Sequence, residues 1–176
     1  FAHEVPQTVG LSPRLVSIWD GAAQVASYQF DELARLERVV AAGDSEGATL
    51  RYHYAEPEHM CRLGSGSLEP GCNQVQRAQQ YRMHLTGVSD ERGVRQSVYT
   101  YDSRGRVTQS QHAGNANRVS LSYLGWGRVR VTQPEGGSRL YTFSTGPFRK
   151  LLSSVEETTD GSVTGKWREL TLTPLE

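Results

Sequence analysis

Net charge is the first thing this chain lacks. Its 176 residues carry 19 Lys and Arg against 19 Asp and Glu, so no overall field draws it to nucleic acid or to an acidic membrane. Long apolar runs are missing too. The longest unbroken aliphatic stretch, Val39 to Ala42, is far too short to cross a bilayer, and no membrane span is expected. Catalytic signatures are equally scarce: there is no G-x-S-x-G elbow, phosphate-binding glycine loop, H-E-x-x-H or paired CxxC. Enzymatic activity is therefore not expected, and neither a catalytic residue nor a cofactor is assigned. No low-complexity segment, signal-peptide pattern or lipidation motif occurs. The chain opens on Phe1 rather than Met, which reads as an excised or processed piece.

What the chain does have is 18 Gly, 8 Tyr and many Ser, Thr and Arg, with few aliphatics. That composition suits strands with one wet face and frequent turns. In "RVSLSY", Val119, Leu121 and Tyr123 alternate with Arg118, Ser120 and Ser122, the pattern of a half-buried antiparallel strand. "GRVRVT", "RLYTF" and "WRELTLT" behave alike, and turn signals stand between such runs at Asp20-Gly21, Asp44 to Gly47, Glu135-Gly136-Gly137 and Asp160-Gly161.

The aromatic residues keep a rhythm. Phe30, Tyr54, Tyr101, Tyr123, Phe143 and Trp167 follow one another at 20 to 24 residues, except for 47 between Tyr54 and Tyr101. That exception is close to one interval plus an insertion of about 25 residues. Most of these anchors have an apolar partner two places earlier, among them Tyr28, Tyr52, Tyr99, Leu121 and Tyr141, which puts both side chains on one strand face. A period in the twenties that joins strand signals to turn signals marks a repeat architecture, and the anchors are expected to form its core.

One repeat reads "YTYDSRGRVTQSQHAG", from Tyr99 to Gly114. Tyr101 ends a strand, Asp102 opens a turn whose carboxylate accepts backbone N–H groups, Gly105 supplies the positive φ, and Arg106 begins the antiparallel neighbour. "FDELARL" (Phe30, Asp31, Arg35) is the same phrase with Ala34 in the glycine's place, which leaves the geometry of that turn open. Its continuation, "ERVVAAG", is full of helix formers, with Leu33, Leu36 and Val40 at helical spacing. The tandem register favours a turn and strand there instead.

These phrases resemble the Rhs, or YD-repeat, family. The resemblance runs from about Leu15 to Val155 and is densest from Leu85 to Tyr123. It implies an all-β fold of consecutive antiparallel hairpins in a twisted, curved sheet, part of a hollow β-shell. Residues 1–14 would form an extended segment, and residues 15–176 the repeat region with an insertion at about 56–81. The implied role is a non-catalytic wall segment of a secreted or surface-held bacterial protein whose shell encloses a C-terminal toxin. Its partners would be the rest of that shell and the toxin. Phe143-Ser144 stands where Tyr-Asp is expected, so the last repeats are degenerate. The family's Asp-Pro-x-Gly cleavage segment is missing, since the chain contains no Asp-Pro.

The insertion, "EPEHMCRLGSGSLEPGCNQVQRAQQY", is rich in Gly, Ser and Pro and reads as a turn-dense, exposed loop. Its Cys61 and Cys72 allow three readings: a disulfide suited to an oxidising compartment, two buried thiols, or a metal site with His53 and His59 whose spacing fits no compact zinc motif. Glycan binding is the alternative function, through Trp19, Trp126, Trp167, Tyr52 and Tyr54. Only Trp126, in "YLGWGR", departs from the aromatic period.

Overall fold

The computed structural model describes residues 2–4, 14–41, 49–145, 150–159 and 162–167. The turns read at Asp44 to Gly47 and Asp160-Gly161, and the strand around Leu170 and Leu172, lie outside them. Among the described residues thirteen strands form one sheet in strict sequence order: β1 (Ala2–Glu4), β2 (Arg14–Asp20), β3 (Ala23–Phe30), β4 (Leu36–Ala41), β5 (Thr49–Tyr54), β6 (Leu85–Ser89), β7 (Arg95–Tyr101), β8 (Val107–His112), β9 (Val119–Gly125), β10 (Arg128–Thr132), β11 (Ser138–Thr145), β12 (Lys150–Thr159) and β13 (Ser162–Trp167). Every neighbouring pair is antiparallel. The fold is all-β and built from consecutive hairpins, and β1 and β13 do not meet to close it.

The ambiguous segment after Phe30 is β4, paired with β3 from Phe30↔Leu36 to Ala26↔Ala41. Its helix formers yield to the ladder on either side, since pairing with β3 and β5 supplies hydrogen bonds that an isolated short helix does not have. The turn between β3 and β4 matches the turn between β7 and β8 bond for bond. Asp31 N–H donates to the Arg35 carbonyl at 3.0 Å and Ala34 N–H to the Asp31 carbonyl at 2.9 Å; Asp102 N–H reaches the Arg106 carbonyl at 2.9 Å and Gly105 N–H the Asp102 carbonyl at 3.0 Å. Asp90 to Val94 and Gln133 to Gly137 repeat both bonds. Ala34 takes φ 67°, beside 73° at Gly105. The alanine adopts the left-handed geometry that an L side chain resists, because the aspartate and the ladder over-determine the turn.

In a sheet of consecutive antiparallel strands, alternate hairpins fall at the same end. The Asp31 and Asp102 turns, the connection between β5 and β6, and the Gly125–Trp126–Gly127 tip between β9 and β10 therefore share one rim. The Asp90 and Gln133 turns share the other.

A single layer buries little, and no second sheet faces it among the described residues. The buried apolar side chains described are Met60, Cys61, Ala78 and Tyr101. Three of these four belong to the β5–β6 connection. The anchors Phe30, Tyr54, Tyr123 and Phe143 are half-buried, not the closed core the periodicity implied. Among the described residues no second sheet covers their rings, and Tyr101 is sealed because the insertion covers it.

Replacing Ala34 with Gly should raise stability by about 1 kcal/mol, the left-handed strain relieved less the added freedom of the unfolded chain. Replacing Gly105 with Ala should lower it by about 2–3 kcal/mol, because a Cβ there would also meet the Tyr81 ring at 2.8 Å and His84 Nε2 at 2.9 Å. Urea denaturation of both variants beside the parent measures the two shifts.

Candidate functional site

The turn aspartates do more than close hairpins. Asp102 Oδ1 accepts N–H bonds from Arg104 and Arg106, both at 2.9 Å, while Oδ2 receives the Arg106 guanidinium, with Nε at 2.7 Å and Nη2 at 2.6 Å. Asp31 treats Leu33, Arg35 and the Arg35 side chain the same way. Burial alone would raise the Asp31 carboxyl, but the Arg35 bonds outweigh it and hold the group below its ordinary range. Each arginine, pinned by its aspartate, lies over an aromatic ring of the next repeat: Arg35 over Tyr54 at 4.6 Å and Arg106 over Tyr123 at 3.9 Å. Each of those tyrosines donates its hydroxyl to the carbonyl of the residue after the arginine, Tyr54 to Leu36 at 2.8 Å and Tyr123 to Val107 at 2.9 Å. Turn, cation, ring and carbonyl thus make a brace that passes from one repeat to the next.

Tyr101 follows the same rule with a substitute. Its hydroxyl donates to the Leu85 carbonyl at 2.5 Å, and burial pushes its pKa up to about 12. The residue before Leu85 is His84, whose ring meets Tyr101 edge-on at 4.7 Å and whose Nε2 lies 2.9 Å from the Gly105 carbonyl. Phe30 has Arg14 over its ring at 5.3 Å but no hydroxyl to complete the brace. Tyr99, one register step behind Tyr101, packs against the buried cluster.

The insertion is a cap on this part of the sheet rather than an exposed loop. It contains a 3-10 turn (Pro57–His59) and a helix, α1 (Gln74–Gln80). Asn73 caps α1, its side chain accepting from Gln76 N–H at 3.1 Å. Cys61 and Cys72 are joined by a disulfide, with Cα atoms 5.8 Å apart. The pairing removes both thiols, and with them both sulfur ligands of the metal reading with His53 and His59. Arg62 N–H bonds the Tyr101 carbonyl at 2.8 Å. Glu69 receives Ser103 N–H and Oγ, both at 2.8 Å, and Gln109 Nε2 donates to the Gly64 carbonyl at 2.9 Å. Gly64 crosses β9 so closely that a Cβ would stand 2.6 Å from the Leu121 carbonyl oxygen. The cap thus grips the Asp102 turn from both sides and leaves a polar cleft of about 690 Å³ lined by Ser65, Glu69, Arg104, Ser122 and Tyr123.

At the cap's root, the Glu56 carboxylate accepts Thr86 Oγ1 at 2.7 Å and pairs with Arg95. His53 Nδ1 and His59 Nε2 flank it at 3.9 and 3.7 Å. Burial would raise Glu56, but Thr86 and Arg95 bring it below the ordinary carboxylate range. Both histidines titrate below the ordinary 6.5, chiefly because burial strips their hydration, with Arg95 lowering them further and Glu56 opposing. Ligand atoms of Glu56, Glu58 and His59 lie within 4.8 Å of one another, yet both Glu56 oxygens are already engaged.

Trp126 stands 93% exposed at a hairpin tip. Trp19 is also partly open and donates its Nε1–H to Ser17 Oγ, and the Trp167 side chain lies outside the described residues. Sequence reasoning missed His84, Glu69, Glu56 and Arg95. His84 alone left a signal: it precedes Tyr101 by the same 17 residues that separate Arg106 from Tyr123. Among the described residues no helix is long and apolar enough to cross a membrane. No protein-family model matches the chain, and no curated protein matches it as a relative.

Two measurements test the cap. Because the folded pKa values of His53 and His59 are depressed, the unfolded chain protonates first, and thermal stability should fall as pH drops below about 6.5. A second loss should follow as pH falls through the depressed Glu56 and Asp31 values, below the unfolded carboxylate range. His53→Gln with His59→Gln should flatten the first decline and leave the second. Replacing both cysteines with Ser should cost about 2–3 kcal/mol in urea denaturation.

Proposed function

We propose that the chain is a non-catalytic wall segment of a YD-repeat, Rhs-type protein, secreted or held at the bacterial surface, whose shell encloses a C-terminal toxin. The brace that runs from Arg35 to Tyr54 and again from Arg106 to Tyr123, one repeat to the next, is the observation that carries this reading. It makes each repeat incomplete without its neighbour, so the pattern favours continuation rather than a closed globule. A sheet one layer thick, with rings half-covered along its length, is suited to walling a space and poorly suited to burying a catalytic pocket. The partners on this reading are adjoining repeats at the β1 and β13 edges and the enclosed toxin.

One observation favours a second reading, a carbohydrate-binding or adhesion module. Trp126 holds φ 52° between Gly125 and Gly127, where Gly or Asn would be less strained, and its ring gains no packing in return. Sugars stack on such rings.

Electron microscopy of the polypeptide carrying this segment with its neighbouring repeats and cargo separates the two. A hollow particle, with this segment in its wall and the cargo resistant to added protease, is the expected result; a solid particle with accessible cargo would overturn the wall reading. Glycan-array binding that Trp126→Ala abolishes, without loss of thermal stability, would support the second reading.

A further inference from the structure

Away from the braces, β4 and β5 set two arginines side by side on one face, next to Ser89 of β6. Arg38 and Arg51 are direct cross-strand partners, and Arg51 is in turn the partner of Ser89. Like charges directly opposite each other destabilise a ladder. Among the described residues neither arginine has a salt bridge or hydrogen bond that would offset this, and Arg38 Nε is shut off from solvent with no acceptor. The Arg38 charge can be met only from the side where its terminal nitrogens lie.

Both arginines line one cleft of about 460 Å³, together with Thr49, His53, Ser89 and the Asp90–Gly93 turn. The more buried acid of that turn, Asp90, is already committed. Asp90 Oδ1 takes Arg92 and Val94 N–H at 3.0 and 2.8 Å, and its Oδ2 takes Gln96 Nε2 at 2.7 Å. Glu91 lies 3.9 Å from Arg92. His53 Nε2 lies 2.9 Å from Ser89 Oγ, so an imidazole and a hydroxyl stand beside the two guanidinium groups. Of the other cations nearby, Arg92 on the cleft's turn lies within 4.0 Å of Asp90 and Glu91, and Arg95 is taken by Glu56.

We propose that this cleft binds a tetrahedral oxyanion, the phosphate or sulfate group of a small molecule, with Arg38 and Arg51 as its charge partners and Ser89 as a hydrogen-bonding wall. Guanidinium forks suit such groups because each presents parallel N–H donors. A bound dianion would also turn the repulsive Arg38–Arg51 pair into a bridged one. The site lies apart from the Asp102 turn and its cap and does not depend on the wall reading.

Thermal denaturation of the chain, titrated with inorganic phosphate, inorganic sulfate or a monosaccharide sulfate ester at constant ionic strength, tests it. The expected result is a saturable rise in Tm with at least one of these and none with chloride; the anion saturating at the lowest concentration names the preferred group. Arg38→Gln and Arg51→Gln should each weaken the apparent affinity by about tenfold or more, while without anion they should be no less stable than the parent, since a like-charge contact is relieved. Arg130→Gln, on β10, should leave the affinity unchanged. A rise that does not saturate, that chloride reproduces, or that survives Arg51→Gln would overturn the proposal. If a variant fails to fold, amide NMR shifts of the parent decide: phosphate- or sulfate-dependent movement at Arg51, His53 and Ser89 sustains the site, and no movement there removes it.

Discussion

A carboxylate that is shared between a turn and an arginine organises this molecule. In the Asp102 turn one oxygen gathers two backbone N–H groups and the other holds the Arg106 fork, whose flat face is then fixed over Tyr123. Hydrogen bonds to a charged group contribute about 1.5–3 kcal/mol each, more than neutral ones, and a pinned guanidinium over a ring adds about 0.5–2 kcal/mol. A sandwich fold would leave such contacts a minor role beside its core. Here there is one layer, and the lateral braces supply much of what a facing sheet would otherwise provide. They also fix register: the hydroxyl of Tyr54 or Tyr123 meets its carbonyl on the earlier strand only if the intervening ladder has not slipped.

The cap is the exception that follows from the same constraint. Where Tyr101 would repeat the brace there is no arginine, and the chain departs from the sheet for the stretch between Tyr54 and Leu85 before returning. It comes back with His84 in the arginine's place and with Met60 and Cys61 fully buried over the ring. A covering segment of about 30 residues cannot hold itself by apolar burial alone. Its other attachments include a disulfide, a helix cap at Asn73, backbone bonds from Arg62 and to Gly64, and charged contacts at Glu56 and Glu69, each fixing one point of the cap to itself or to the sheet. The cap's outward side keeps Val75 and Met83 more than half exposed, so its packing is directed at the sheet.

The strands and hairpin order were legible because alternation and turn chemistry are local signals. "RVSLSY" and "GRVRVT" read directly as β9 and β10, and the phrase around Asp31 overrode its own helical propensity once its register with Asp102 was recognised. The helix Gln74–Gln80 was missed, although an Asn followed by Gln, Arg and Ala is a recognisable start; the Gly and Ser residues around it dominated the reading of that segment. The anchors were expected to be buried because a period reports which side chains share a face, not whether anything covers that face. Arg38 and Arg51 were unreadable for a related reason. Nothing in the sequence says that they lie opposite each other until the β4–β5 register is known.

The two rims of the sheet differ, and the difference follows from chain order alone. One rim collects the Asp31 and Asp102 turns, the capped connection and the Trp126 tip; the other collects the Asp90 and Gln133 turns. Both rims use the same pair of backbone bonds, but among the described residues only the first sends an arginine across to an aromatic ring. On the second rim Asp90 spends its free oxygen on Gln96, two residues beyond the turn, and so closes on itself. Among the described residues the first rim is therefore tied from repeat to repeat, while the Asp90 and Gln133 turns of the second carry no such tie. The lateral ties thus gather at one margin, while the described turns of the other rely on hydrogen bonds within each turn. The arginine pair on β4 and β5 opens beside the unbraced rim, next to Asp90, where an added ligand would meet the least internal resistance.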